Sequence, residues 1–222
     1  MLRHDLVYLQ PEAAWQSPCA AAGSPMAQAV QRWLAAGRPL VAARQPADEQ
    51  MLLLGLTLPT GQGRHRLSIR AEPAAVARCR PPLALAQCLH RLPATYAPEL
   101  RMLAERAQAG AITFGVYGSL AWEVISGESY RHQASDIDLI CEIASKRQLM
   151  IALGELALAA DRLPCRLDGE IRFPDGNAVA WREVLAHLQT PEMPVLAKGQ
   201  RDVALLPLVR LIETLSPEHR DD

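Results

Sequence analysis

Apolar and polar positions alternate in short runs along the first hundred residues, which is typical of strands joined by turns. The segment RHRLSIRA at 64–71 alternates strictly, and it follows the apolar run MLLLGLTL at 51–58 across a Gly-rich turn. This order predicts a β-hairpin. Ser24-Pro25 predicts the start of a helix that Gly37 ends. The other elements predicted in this half are strands at 4–9 and 39–44 and helices at 83–91 and 96–109.

The second half of the chain alternates strands and helices more regularly. Such an order predicts a small mixed sheet with flanking helices. We therefore expect an α+β protein, with a smaller α+β N-terminal domain at 1–93 and a catalytic domain with a mixed sheet at 94–222. The elements predicted here are strands at 113–117, 136–143 and 166–173, and helices after 119, at 146–160 and at 180–188.

Charge and composition exclude several classes of protein. Among 222 residues, 23 Lys and Arg face 24 Asp and Glu, so a broad nucleic-acid-binding surface is not expected. Half of the residues are hydrophobic, yet no apolar run is long enough to span a membrane or to act as a signal peptide. The five cysteines are scattered without a C-x-x-C pair. A cytoplasmic protein with reduced thiols is the expectation.

Two pairs of carboxylates stand two residues apart on predicted strands. Because strand side chains alternate between faces, Asp136 and Asp138 project from the same side and need a cation to offset their repulsion. Mg²⁺ is bound in this way, by one or two carboxylates and substrate phosphates. Asp168 and Glu170 repeat the spacing, and one of them could complete a three-carboxylate site. The alternative is that these acids end a turn or face solvent.

Gly118-Ser119 lies between a predicted strand and a predicted helix. Backbone N–H groups at a helix start, together with a hydroxyl, can hold a phosphate, and glycine lets that phosphate approach closely. The alternative is a simple turn at Gly118 with Ser119 as the N-cap. The order strand, Gly-Ser, helix, Asp-x-Asp strand and third carboxylate strand resembles the nucleotidyltransferase superfamily, although 16 residues separate Ser119 from Asp136.

Further segments resemble one family of that superfamily, the malonate decarboxylase holo-acyl-carrier-protein synthases, also called phosphoribosyl-dephospho-CoA transferases. The similarity includes the N-terminal half, which a general nucleotidyltransferase would not share. The similar segments are RHDLV (3–7), GRPLVAAR (37–44), YGSLAWEVISG (117–127), SDIDLI (135–140), LDGEIRFPDGNAVAWRE (167–183) and LAKGQRDVALL (196–206).

The resemblance implies transfer of phosphoribosyl-dephospho-CoA from 2'-(5''-triphosphoribosyl)-3'-dephospho-CoA to a serine of the apo acyl-carrier subunit of malonate decarboxylase, with release of pyrophosphate. Asp136 and Asp138 would hold Mg²⁺ against the triphosphate. Asp168, or alternatively Glu170 on the same strand face, would be a further metal ligand or the base toward the serine. Gly118 and Ser119 would bind the outer phosphates.

So anionic a donor also calls for cationic side chains. Arg38, Arg44, Lys198 and Arg201 are the candidates, each with the alternative of an ordinary surface charge. The N-terminal domain is expected to bind the donor, the carrier protein or both. Two other functions stay open: a nucleotidyltransferase that adds a nucleoside monophosphate to a small molecule or a protein, and a non-catalytic carrier-protein adaptor.

Overall fold

The computed structural model describes residues 1–132 and 135–216. Gln133 and Ala134, which belong to the 16 residues between Ser119 and Asp136, lie outside the described residues. The chain forms two compact units. The first unit comprises Met1–Pro82, Trp122–Arg131 and Gln200–Asp202, and the second comprises Leu83–Ala121, His132–Gly199 and Val203–Asp222.

The first unit contains a six-stranded sheet in the order β2-β5-β4-β3-β1-β6, and its neighbouring strands all run antiparallel. The predicted hairpin is confirmed, with Leu54 of β4 opposite Ile69 of β5. The predicted helix start is confirmed as well, because Ser24 Oγ accepts the N–H of Ala27 at 3.1 Å. The elements are β1 Leu6–Leu9, β2 Trp15–Gln16, α1 Pro25–Ala35, β3 Leu40–Ala42, β4 Leu52–Thr57, β5 Arg66–Ala71 and β6 Val76–Arg80.

The second unit contains a seven-stranded mixed sheet in the order β13-β12-β11-β10-β9-β8-β7. Neighbours β9 and β10 run parallel, and the other neighbouring strands are antiparallel. The elements are β7 Leu83–Ala84, α2 Leu85–Cys88, α3 Ala97–Ala109, β8 Phe114–Tyr117, α4 Gly118–Ser126, β9 Ile137–Glu142, α5 Lys146–Arg162, β10 Leu167–Arg172, β11 Ala178–Ala180, α6 Trp181–His187, β12 Pro194–Lys198, β13 Val203–Pro207 and α7 Leu208–Ile212. A two-domain α+β fold is confirmed.

One predicted helix is partly wrong. The segment 83–91 begins with strand β7, in which Leu83 pairs with Val116, and only Leu85–Cys88 is α-helical. Because β7 joins the second sheet, the boundary that the sequence predicts after residue 93 falls inside the second unit. The roles predicted for the two domains stay predictions.

Two aromatic residues from the middle of the chain belong to the core of the first unit. The ring of Trp122 lies 5.4 Å from that of Trp33, edge to face, and 6.4 Å from that of Tyr130. Both Trp122 and Tyr130 are buried, at 6% and 1% exposure. Burial raises the pKa of the Tyr130 phenol to about 12. The N-terminal sheet therefore depends on a segment that follows it by some forty residues.

A carboxylate fixes this segment at its end. Glu123 accepts the backbone N–H groups of Tyr130 and Arg131, at 3.0 and 2.9 Å, and the Nε of Arg131 at 2.7 Å. Burial alone raises the pKa of the Glu123 carboxyl, but these hydrogen bonds and the guanidinium outweigh it and lower the pKa below its ordinary value. The loop after α4 is thus tied back to its own helix.

Over the part of the chain that the structure describes, no helix combines the length and the apolar character that crossing a membrane requires. The five cysteines, Cys19, Cys79, Cys88, Cys141 and Cys165, are all free thiols.

Candidate active site

Two of the predicted carboxylates are neighbours on β9 and β10, the only parallel pair of strands among the described residues. Asp138 of β9 lies opposite Asp168 of β10 in register. Residues paired across adjacent strands project from the same face, so both carboxylates are presented together. The side chain of Asp168 is 34% exposed and that of Asp136, just before β9, is 37% exposed. A solvent-accessible acidic face results.

Arg166, which is not among the residues predicted from the sequence, bridges this acidic face. Its guanidinium lies 4.0 Å from Asp136 Oδ2 and 3.5 Å from Asp168 Oδ2. The arginine side chain is 62% exposed, so each contact is worth less than about 1 kcal/mol. The available signal was the strand alternation, because Arg166 stands two residues before Asp168. A cation placed between two carboxylates shows where the site accepts positive charge.

Gly118 is required by its contact with Asp138. Its φ is +68°, and a Cβ at this position would lie 2.1 Å from Asp138 Oδ2. Gly118 is also the first residue of α4, so the carboxylate lies at the positive end of that helix. Ser119 follows in the first helical turn and is half-buried. The glycine thus makes room for the Asp138 carboxylate.

Glu170, predicted as a possible metal ligand or base, and Lys198, predicted to bind the donor, form an ion pair with each other. Lys198 Nζ donates to Glu170 Oε1 at 2.8 Å, and the Glu170 side chain is only 5% exposed. The contact joins β10 to β12, which flank the short strand β11. Glu170 therefore has a charged partner and little access to solvent, whereas Asp168 lies on the exposed acidic face.

The other predicted cations belong to the first unit. Arg38 donates to the Ser126 carbonyl at 3.1 Å and lies 3.6 Å from Glu128. Arg44 is half-buried, and Arg201 is exposed in the segment Gln200–Asp202. The structure brings the carboxylates, the Gly-Ser pair and Lys198 together in the second unit.

The donor set suits a hard cation such as Mg²⁺, for which one or two carboxylates and substrate oxygens suffice. Among residues 1–132 and 135–216, no three acidic, histidine or cysteine side chains are close enough to hold a metal ion by themselves. The in-register pair Asp138 and Asp168, with the guanidinium of Arg166 beside it, is the part of the site that fits. The full set of metal ligands stays a prediction.

Family comparisons match the chain almost from end to end. Residues 2–82 match the phosphoribosyl-dephospho-CoA transferase MdcG N-terminal domain, and residues 84–208 match the MdcG C-terminal domain. The chain belongs to this family. It is therefore a transferase. The C-terminal match contains every predicted carboxylate, together with Gly118, Ser119 and Arg166.

Relatives that are named phosphoribosyl-dephospho-CoA transferase align with most of this chain. One from Xanthomonas axonopodis pv. citri is 37% identical over 96% of this chain and 98% of its own length. Another from Bradyrhizobium diazoefficiens is 34% identical over 82% of this chain and 81% of its own, and one from Pseudomonas aeruginosa is 34% identical over 78% and 80%. No solved structure matches the chain.

For a transferase of this family, the site offers three chemical elements on neighbouring secondary structures. The exposed carboxylates can hold a cation or accept a proton, and the start of α4 can receive a phosphate. Arg166 can neutralise a phosphate oxygen after it leaves the carboxylates. Carboxylates, a helix start and a guanidinium are the kinds of group that transfer of a phosphate-containing group uses.

Proposed function

We propose that this chain transfers phosphoribosyl-dephospho-CoA from 2'-(5''-triphosphoribosyl)-3'-dephospho-CoA to a serine of the apo acyl-carrier subunit of malonate decarboxylase. Pyrophosphate is the other product, and the setting is the cytoplasm, where the free thiols stay reduced. Family membership along the whole chain supports the donor. The observation that carries the chemistry is the in-register pair Asp138 and Asp168 beside Gly118.

The reaction exchanges one phosphorus–oxygen bond for another. The serine oxygen attacks the phosphorus next to the ribose, its proton passes to a base, and the bond to the outgoing pyrophosphate breaks. The product is a phosphodiester. Bound Mg²⁺ would supply positive charge that neutralises the leaving pyrophosphate. Asp138 and Asp136 would hold that ion, and Gly118 and Ser119 would receive the outer phosphates.

We assign the third carboxylate to Asp168 rather than to Glu170. Asp168 is exposed and lies opposite Asp138, so it can bind the cation or accept the serine proton. Glu170 is buried and bound to Lys198. Breaking that pair would leave a buried charge uncompensated, which typically costs about 3–5 kcal/mol. Glu170 and Lys198 therefore position β10 and β12, and their contribution to the reaction is indirect.

Intact-mass analysis of the apo carrier subunit tests the proposal. After incubation with the triphosphoribosyl donor and Mg²⁺, wild-type protein should add the prosthetic group, and Asp138→Asn should slow that addition by about 10²-fold or more. Asp136→Asn and Asp168→Asn should also lose activity. Asp161→Asn, an exposed acid on α5 of the same unit, is the matched control and should react as wild type. An Asp138→Asn variant with full activity would contradict the site.

The same assay separates the two alternatives. Transfer of AMP from ATP to the carrier subunit or to a small molecule, without any dephospho-CoA derivative, would favour a general nucleotidyltransferase. A carrier subunit that binds tightly to wild type and to Asp138→Asn, but is never modified by either, would favour an adaptor. The adaptor outcome is not expected, because exposed paired carboxylates repel each other and serve no purpose in an adaptor. Transfer of AMP is not expected either, because the family match includes residues 2–82, which a general nucleotidyltransferase would not share.

A further inference from the structure

The turn that precedes β1 holds a histidine in a backbone conformation that normally suits glycine. His4 has φ of +72°. The Asp5 N–H donates to the Leu2 carbonyl at 3.2 Å, so His4 is the third residue of a four-residue turn. His4 N–H also donates to Ala42 O at 3.0 Å, while Ala42 N–H donates to Asp5 O at 2.8 Å. Two residues thus oppose one, as in a β-bulge whose first residue is usually glycine.

A histidine in this position is strained. A left-handed conformation disfavours any side chain that has a Cβ, and glycine avoids the strain entirely. Folding alone would therefore favour glycine at residue 4. Strained residues of this kind cluster at ligand-binding and catalytic positions, where the side chain is used. The strain at residue 4 therefore points to a use for the His4 imidazole.

Within the first unit, Gln200 connects this turn to the segments that carry Arg44 and Arg201. Its side-chain oxygen accepts the N–H of Arg3 at 3.0 Å, and its carbonyl accepts the N–H of Gln45 at 2.8 Å. It therefore contacts the residue directly before His4 and the residue directly after Arg44. Arg201 is its next neighbour in the chain. Segments some 40 and 200 residues apart in sequence converge at one end of β1 and β3.

Neither Arg44 nor Arg201 forms an ion pair with an acidic side chain among the described residues. Arg44 Nε is shielded from solvent and has no hydrogen-bond acceptor among the described residues. Arg201 is exposed, and no ion pair joins it to any residue in the described part of the chain. Asp5, the acidic residue at the end of the turn before β1, accepts the Leu2 N–H at 2.7 Å. Asp202 is the other acid of the segment, and it is exposed to solvent.

We propose that His4, Arg44 and Arg201 form an anion site that binds a phosphate group of an organic phosphate without a metal ion. Guanidinium groups bind phosphate oxygens through paired, charge-assisted hydrogen bonds, and an imidazole N–H can donate to a third oxygen. The site supplies its own positive charge, unlike the carboxylates of the second unit. It does not depend on the carrier-protein reaction being the activity of this chain.

Calorimetric titration of the full-length protein in EDTA tests the site, with dephospho-CoA and inorganic pyrophosphate as separate probes. Chelation removes any metal-dependent binding at the carboxylates. Wild type should bind dephospho-CoA, and Arg44→Gln and Arg201→Gln should each weaken that binding about tenfold. Pyrophosphate binding with the same losses would show that the diphosphate is the recognised part. Arg66→Gln, which removes an exposed charge from β5 of the same unit, should bind as wild type.

His4→Gly separates a binding role from a structural one. Because glycine relieves the positive φ, the variant should unfold at the same temperature as wild type or higher, and yet bind dephospho-CoA several-fold more weakly. Arg44→Lys, which keeps the charge but loses the paired donors, should bind with intermediate affinity. Failure of wild type to bind either probe in EDTA, or unchanged binding by Arg44→Gln and His4→Gly, would overturn the site.

Two further results keep this test distinct from the test of the transferase reaction. Asp138→Asn should lose transfer while binding dephospho-CoA in EDTA as wild type does. If Arg44→Gln and Arg201→Gln bind dephospho-CoA normally but lose affinity for the acidic apo carrier subunit, the cluster docks a protein and the phosphate site is overturned.

Discussion

At the scale of single residues, Gly118 decides the position of the carboxylate next to it. Any side chain at 118 would have to displace the Asp138 carboxylate, because the nearest oxygen is 2.1 Å from the Cβ position. The same residue would also adopt a positive φ, which costs about 1–2 kcal/mol for an L-residue. These two effects can be separated experimentally, since the chain contains another glycine with only one of them.

Gly118→Ala should therefore lose at least about tenfold in prosthetic-group transfer and about 1–3 kcal/mol in the free energy of unfolding. Gly176→Ala is the matched control, because Gly176 also has a positive φ of +85° but has no atom within 4 Å of the Cβ position. That variant should lose stability alone. Transfer assays and urea denaturation measure both quantities. Equal activity of the two variants would show that the Asp138 contact does not matter for the reaction.

Most residues of this site could be predicted from the sequence, but the ion pairs among them could not. Strand alternation identified Asp136 and Asp138, and it placed Asp168 and Glu170 as equals. The structure separates the last two, because Lys198 arrives from a strand 28 residues later and binds Glu170. Arg166 was missed although it lies two residues before Asp168. Strand alternation shows which face of the sheet a side chain occupies. Only the tertiary structure shows which charged partner it has there.

At the scale of secondary structure, the elements with strong local signals were predicted and the others were not. Helices α1 and α5 begin after capping serines, and the hairpin β4–β5 has a Gly-rich turn. The strands β11, β12 and β13 went unassigned, since β11 has three residues and the other two are apolar without clear alternation. The Leu196 N–H of β12 is satisfied by the Glu183 carboxylate at 2.8 Å, a contact that no local pattern indicates.

The loop after α4 offers a prediction at this scale. Glu123→Ala should lower the free energy of unfolding by about 2–3 kcal/mol, because two N–H groups and the Arg131 guanidinium lose their acceptor. Glu105→Ala, an exposed position on α3, should stay within about 0.5 kcal/mol of wild type. Denaturant unfolding at pH 7 gives both values. A loss for Glu123→Ala no greater than for Glu105→Ala would refute the role of this carboxylate.

The difference in the free energy of unfolding between Glu123→Ala and wild type should also depend on pH. The folded-state pKa of Glu123 lies below its ordinary value of 4.5. The carboxylate therefore contributes its full stabilisation above that pH, and the contribution is lost as the pH falls through the folded-state pKa. Denaturant unfolding at pH 7 and again near pH 3 should show that the variant and wild type differ less in free energy of unfolding at the lower pH. An equal difference in free energy of unfolding at both pH values would indicate that the protonated carboxyl of Glu123 stabilises the loop as well as the carboxylate does.

At the scale of the whole molecule, a net charge of −1 conceals a separation of charges between the two units. The exposed carboxylates lie in the second unit, and the cluster of His4, Arg44 and Arg201 lies in the first. Overall composition argues against a broad polyanion-binding surface. It could not show that two local sites of opposite sign are formed by residues far apart in sequence, because charge balance carries no information about position.

The division of the chain in space also differs from its division along the sequence. The N-terminal family match ends at residue 82, yet the core beneath that sheet includes Trp122 and Tyr130. Deleting a buried aromatic side chain typically costs about 3–5 kcal/mol, and whole domains are stable by only about 5–15 kcal/mol. A fragment comprising residues 1–82 loses both aromatics at once, so we expect it to lack a cooperative unfolding transition.

Circular dichroism and tryptophan fluorescence of the 1–82 fragment, compared with the full chain, measure this directly. Trp33 packs against Trp122 in the full chain and should become solvated in the fragment, with a red-shifted emission. Full-length Trp122→Ala is the control, and it should remain folded while losing about 3–5 kcal/mol. A fragment that unfolds cooperatively, with stability equal to that of the full chain, would mean that residues 122–131 cover a core already complete without them.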